Sequence, residues 1–150
     1  MLVLEKMVWS SAASVGVQKL DDQHKKLFEM LNQLADCHAA RGVQSSEAFL
    51  KILSAMFDYV AVHFKAEEGY LKNIEFPGLS AHAREHDAFV EAMADFNMAA
   101  LEGKRDEVAV HQYLKEWLLD HILKSDMQYR RFAEGCDSPD IARVLVQCPP

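Results

Sequence analysis

Seven histidines stand in this chain of 150 residues, and five of them, with two carboxylates, are spaced so that a helical fold could bring them to one metal site. His63 and Glu67 are at i,i+4, as are His82 and His86, which places each pair on one helix face a turn apart. His121 and Asp126 are at i,i+5 and would lie about 140° apart on an ideal helix. They converge if both flank one inward stripe, or if a π-type turn lies between them. His24 completes the set. Imidazole nitrogens and carboxylate oxygens without thiolates suit iron, and manganese less well. Zinc takes four ligands and often sulfur, whereas calcium and magnesium want oxygen throughout. The set is too large for one tetrahedral ion and suggests a pair of metals. In that partition His82, His86 and His121 serve one metal, and His24 and His63 the other. Glu67, Asp126 and a solvent-derived oxygen bridge both. The first metal is then closed, and the second is one position short of an octahedron, where a small ligand would bind.

Four apolar stripes at helical spacing must position these groups. The first runs Leu20, His24, Leu27, Phe28, Leu31, Leu34, with Asp21 or Asp22 as the expected N-cap, and ends near Arg41-Gly42. The second begins near Ser45-Ser46, carries Phe49, Leu53, Met56, Val60, His63, Phe64, Glu67 and Leu71, and stops before Pro77-Gly78. The third holds His82, His86, Phe89, Met93 and Phe96 and ends at Gly103; the fourth runs from about Asp106 to about Phe132. Strand signals are nearly absent. Short breaks between long helices favour antiparallel neighbours. The expected fold is therefore all-α, an up-down-up-down four-helix bundle over residues 20–132, with an N-terminal arm (1–19) and a C-terminal tail (133–150).

In such a bundle the start of the first helix, the end of the second, the start of the third and the later half of the fourth share one end. All the candidate ligands fall there, and burying them is costly unless something satisfies them. His38 lies about 21 Å along the axis from His24, and His111 about 15 Å from His121, too far to join the cluster. Both are expected to be ordinary surface or bundle-end residues.

The charge balance of 16 basic against 23 acidic residues, a net −7, argues against an electrostatic grip on nucleic acid or anionic lipid. No apolar run approaches the ~18 residues of a membrane span, and Glu5 and Lys6 interrupt the first residues, so neither membrane insertion nor a signal peptide is expected. Three scattered cysteines, Cys37, Cys136 and Cys148, form no C-x-x-C pair and fit a cytoplasmic protein with free thiols.

With those residues in view, the sequence resembles the hemerythrins, specifically the single-domain bacterial ones, over roughly Trp9 to Phe132. The resemblance rests on Asp22-Gln23-His24-Lys25, His63-Phe64-x-x-Glu67-Glu68, His82-x-x-x-His86 and Trp117-Leu118-x-x-His121-Ile122-x-x-x-Asp126-x-x-Tyr129. It implies a four-helix bundle around a non-haem di-iron centre, two irons with a bridging oxo or hydroxo group, that binds dioxygen reversibly. It also implies that the ligand partition above carries over, and that the arm brings Trp9 near the metal pocket. The apolar helix neighbours of the ligands, Leu27, Phe64, Trp117, Leu118 and Ile122, would wall that pocket with Trp9 and keep it dry. Tyr129, one turn past Asp126, is expected to hydrogen-bond a ligand. The chain departs from the simplest members in its tail after Phe132. A ferritin-like centre would need Glu-x-x-His pairs, and no histidine here has Glu three residues before it.

The expected function is oxygen binding rather than enzymatic turnover, for storage or for delivery to an oxygen-consuming enzyme, by a monomer or weak oligomer. The alternatives are an oxygen or redox sensor, for which residues 133–150 are too few to be an output domain, and a di-iron enzyme acting on peroxide or nitric oxide.

Overall fold

Each apolar stripe becomes a helix with that stripe turned inward. The computed structural model describes residues 3–135. Within them the chain forms α1 (Gln18–Ala40), α2 (Val43–Asn73), α3 (Leu79–Leu101), α4 (Glu107–Asp120), a π-turn over His121–Asp126, and α5 (Met127–Ala133). The last three run on as one rod, giving a four-helix bundle. Among the described residues there is no strand, and no helix is long and apolar enough to cross a membrane. α1 packs on α2 and α4, and α2 on α3. α3 meets α4 through Phe89 on Trp117, with ring centres 4.1 Å apart, and Phe96 on Tyr113 at 5.3 Å. Cys136, Cys148 and the tail segment Ile141 to Val146 lie outside the described residues.

The helix starts depart from expectation where the arm intervenes. α1 begins at Gln18, so Asp21 lies inside its first turn, Asp22 just after it, and neither caps it. The Asp21 carboxylate instead accepts from Val15 N at 2.8 Å and from Ser14 Oγ at 2.6 Å, satisfying the incoming arm. α2 begins at Val43, ahead of Ser45-Ser46, and Ser45 Oγ donates back to Arg41 O. Asp106, at the expected start of the fourth helix, caps α4 by accepting from Ala109 N at 3.0 Å.

The turn between α2 and α3 sets the phase of His82. Phe76 N donates to Leu71 O and Glu75 N to Lys72 O, the paired bonds of a Schellman ending, with Glu75 at φ +56°. Gly78 then opens α3 directly beneath the Phe76 ring, where a Cβ would come within 2.6 Å of ring carbon. Phe76 in turn packs on Phe132 and Tyr129 of the last rod.

Two apolar layers bracket the polar end of the interior. The larger runs the length of the bundle through Leu31, Leu34, Phe49, Leu53, Met93 and Leu114. The smaller is Val15, Leu20, Leu71 and Tyr129. Leu20, Leu71 and Tyr129 stand one helical turn beyond His24, Glu67 and Asp126 respectively.

The arm is fastened to the bundle by specific bonds. Met7 N donates to Asn32 Oδ1 at 2.7 Å, and Asn32 Nδ2 donates to Met7 O at 2.8 Å. Glu5 pairs with Lys115, and Arg130 donates to Ser14 O. Leu4 and Met7 are buried, and Trp9 packs edge-on against Phe28 at 5.6 Å.

Of the two settings expected for His111, surface or bundle end, the second holds: it is 2% exposed at the end away from the cluster, with Val3 and Leu4 lying beside it. Burial pulls its pKa down, and Lys115 and His38 add to that. His38 is half-buried at the same end of the bundle, its Nδ1 2.7 Å from Glu107 Oε2. Neither histidine joins the cluster at the other end.

Replacing Asn32 with Ala removes both partners of the Met7 peptide unit. It is expected to cost about 1–3 kcal/mol and to release the arm. Faster amide exchange and proteolysis confined to residues 3–13, with α1 to α4 unchanged, is the signature that hydrogen–deuterium exchange should record.

Candidate metal centre

The seven expected ligands meet at one end of the bundle, and all are buried: His24, Glu67 and Asp126 have no exposed surface, and His63, His82, His86 and His121 are 4% exposed or less. α1 supplies His24, α2 His63 and Glu67, α3 His82 and His86, and the π-turn His121 and Asp126. Ligand atoms of Glu67, His82, His86 and His121 lie within 4.8 Å of one another, as do those of His24, His63 and Glu67.

The two carboxylates divide this cluster into halves. Glu67 Oε1 faces His82 Nε2 at 2.7 Å, His86 Nε2 at 3.0 Å and His121 Nε2 at 3.7 Å. Its Oε2 faces His24 Nε2 and His63 Nε2, each at 3.6 Å. Asp126 Oδ1 faces His82 at 3.3 Å and His121 at 3.0 Å, while Oδ2 faces His24 at 3.3 Å. Each carboxylate thus gives one oxygen to each half.

The donor atoms are arranged for cations, not for one another. His86 Nε2 and His121 Nε2 stand 3.1 Å apart. Their outer nitrogens face carboxylates, His86 Nδ1 to Glu68 Oε1 and His121 Nδ1 to Glu85 Oε2, both at 2.8 Å. A carboxylate only accepts, so each ring keeps a proton on Nδ1 and turns Nε2 inward. His63 Nδ1 is held in the same way by Gln23 Oε1 at 2.8 Å. Both Asp126 oxygens and both His24 nitrogens are buried with no hydrogen-bond partner. Orphaned donor atoms of nitrogen and oxygen type, buried and convergent, fit non-haem iron.

Known proteins agree with that geometry. Residues 15–133 match the family described as the hemerythrin HHE cation binding domain. The chain belongs to the hemerythrin family. A bacteriohemerythrin of Methylococcus capsulatus is 37% identical over 128 residues, spanning 82% of this chain and 93% of its own length. A hemerythrin-like protein of Naegleria gruberi is 34% identical over 122 residues, 81% of this chain and 89% of its own. A wild-type hemerythrin crystal structure superposes with a TM-score of 0.75 at 35% identity, covering 82% of this chain and 94% of that one. The family is a di-iron, oxygen-binding fold, and its homologues are oxygen-binding proteins rather than enzymes.

The π-turn explains how a hemerythrin-type pair at i,i+5 converges. In an unbroken α-helix, the residue one turn beyond His121 on the same face would be Ser125. The widened turn carries Asp126 inward instead and leaves Ser125 outside, where its Oγ donates to Glu85 at 2.6 Å. Of the two geometries the sequence left open, this is the one adopted.

Aromatic rings press on the ligands. Phe64 stacks on His86 with ring centres 3.7 Å apart, and Trp117 stacks on His121 at 4.4 Å. On the other half, Trp9 of the arm stands 6.4 Å from His24. Leu27, Leu118 and Ile122 are buried in the same apolar cluster that Phe64 belongs to, with Trp9 and Trp117 packed against it. Tyr129 donates to Glu67 Oε2 at 3.0 Å, the bond expected of it. Sequence reasoning assigned no role to Gln23, Glu68, Glu85 or Ser125. Glu68 and Glu85 each directly adjoin a ligand in the chain, which was the available signal; the histidine each holds lies on another helix.

The metal-free cluster holds protons. Burial pulls the His24 pKa down, but Asp126 and Glu67 beside it overcome this and hold it at about 9. Burial likewise opposes His121, and the same two carboxylates hold it at about 10. His63 is pushed down to about 4 by burial. Burial would raise Glu67 and Asp126, yet the surrounding imidazoles keep both below the ordinary carboxylate range. His24 and His121 therefore titrate above the ordinary value of 6.5. Their stabilising contribution to the metal-free fold is complete below that value and is lost as pH rises through about 9 to 10. Melting temperatures across that range should fall for the metal-free protein. They should stay flat for the metal-loaded one, whose bound imidazoles no longer carry those protons.

Proposed function

We propose that this hemerythrin-family chain binds dioxygen reversibly at a centre of two non-haem irons. In this reading His82, His86 and His121 hold one iron and His24 and His63 the other, with Glu67, Asp126 and an oxo or hydroxo group between them. The observation that carries it is the division of each buried carboxylate, one oxygen toward each half of the cluster. A single ion has no use for two carboxylates opened in opposite directions. The two-histidine half has one donor fewer and is where a small ligand would enter.

The iron pair supplies the redox chemistry that makes dioxygen binding possible. The chain supplies everything else. Glu67 is held in its bridging orientation by the Tyr129 hydroxyl, and outer hydrogen bonds keep the imidazole lone pairs inward. Leu27, Phe64, Leu118 and Ile122, with Trp9 and Trp117, form the dry wall that keeps water and protons from the bound gas. That wall favours a carrier, for storage or for delivery to an oxygen-consuming enzyme, over an enzyme that must deliver protons to break the O–O bond. The sparse, scattered cysteines support a cytoplasmic setting in this reading, with the chain acting as a monomer or weak oligomer.

The purified protein should contain two irons per chain by elemental analysis. Glu67→Ala or Asp126→Ala removes a ligand from both and should lower iron sharply, whereas His38→Ala should leave it unchanged. The anaerobically reduced protein should gain visible absorption in air and lose it again when oxygen is removed, with no reductant added. Leu118→Ala should oxidise irreversibly about ten times faster or more, since an opened wall admits water to a charged site. Immediate oxidation of the wild type, reversed only by reductant, would instead favour the enzyme reading.

A further inference from the structure

The two inner carboxylates serve both halves of the centre alike, but the outer partners of the imidazoles do not. His86 and His121, both on the three-histidine half, each donate Nδ1–H to a carboxylate, Glu68 Oε1 and Glu85 Oε2 at 2.8 Å. On the other half His63 donates to the neutral amide oxygen of Gln23, also at 2.8 Å. His24 Nδ1 is buried with no partner at all. Three hydrogen bonds of equal length thus differ in charge, with both carboxylates on one side.

A carboxylate on Nδ1–H draws the proton toward itself and makes Nε2 the stronger donor, where an amide only fixes the ring. Both glutamates reach solvent, Glu68 with 37% and Glu85 with 47% of its side chain exposed. The rings they act on are almost fully buried. Ser125 Oγ holds the same Glu85 oxygen that His121 uses, and the stacked Phe64 and Trp117 fix the two ring planes.

Building on the two-metal reading, we propose that Glu68 and Glu85 are positioning residues that make the His82/His86/His121 half the tight half of the centre. A divalent metal then fills that half before the His24/His63 half. The three-histidine half becomes the permanent anchor, and the half that receives the small ligand holds the exchangeable metal.

The test is a titration of the full-length metal-free protein with Co2+ under anaerobic conditions, followed by visible absorption and calorimetry. The wild type should take two equivalents in two resolved steps. Glu68→Gln and Glu85→Gln keep a hydrogen-bond acceptor and remove only charge. Each should weaken the first step about tenfold while leaving the second within about twofold. The reciprocal change, Gln23→Glu, should tighten the second step about tenfold, an effect that mere structural damage would not produce. Unchanged helicity in all three variants accompanies the expected result. Two steps of equal affinity, a first step indifferent to Glu68→Gln and Glu85→Gln, or a second step indifferent to Gln23→Glu would each overturn the proposal while leaving the two-metal reading intact. Uptake of only one equivalent by the wild type would overturn that reading itself.

Discussion

The rest of the structure depends on two carboxylates that reach no water. Glu67 and Asp126 are fully buried, and a buried carboxylate without compensating partners costs far more than a small fold can spare. Imidazoles answer that demand only in part, since the Asp126 oxygens still lack hydrogen-bond partners. Folding and cation binding are therefore parts of one equilibrium at this end of the bundle, and the apolar layers on either side hold the two together. Loosening either layer would let water satisfy the carboxylates and remove the need for metal.

The two halves of the centre are walled by different kinds of structure. Around the three-histidine half, Phe64 and Trp117 press on the ligands from α2 and α4, elements inside the bundle. Around the two-histidine half, Trp9 comes from the arm, which is attached through the Asn32 and Asp21 side chains, two ion pairs and an arginine. The anchored half is thus part of the core. The half assigned to the small ligand is bounded in part by a segment outside the four helices, consistent with functional surfaces lying away from the most stable parts of a fold.

Much of this was legible because helical period and metal spacing coincide. His63 with Glu67, and His82 with His86, are candidate ligand pairs and stripe members at once, so one count placed both the helices and the cluster. What escaped notice needed information from elsewhere in the fold. Asp21 looked like a cap because it opens a stripe, but its carboxylate is spent on Ser14 and Val15 of the arm. His111 gave no sign of its burial, because nothing in its own helix says that Leu4 lies beside it. Glu85 gave no sign of a role, since the ring it holds is in the π-turn of the last rod while its neighbour His86 turns to Glu68. Local pattern reveals a residue's phase on its own helix; it is silent about which other element arrives to meet it.

The π-turn at His121–Asp126 has a practical meaning for anyone who would make this protein more robust. Judged by helical regularity, it is the obvious blemish in the last rod, and stabilising redesign commonly begins by repairing such places. Repaired without changing the chain's length, the helix would show Ser125 to the interior and turn Asp126 toward solvent. Tyr129 would leave Glu67 in the same rotation. The product would have a more regular last rod, but with a serine where Asp126 now meets the cluster and with the buried Tyr129 turned out of the smaller apolar layer.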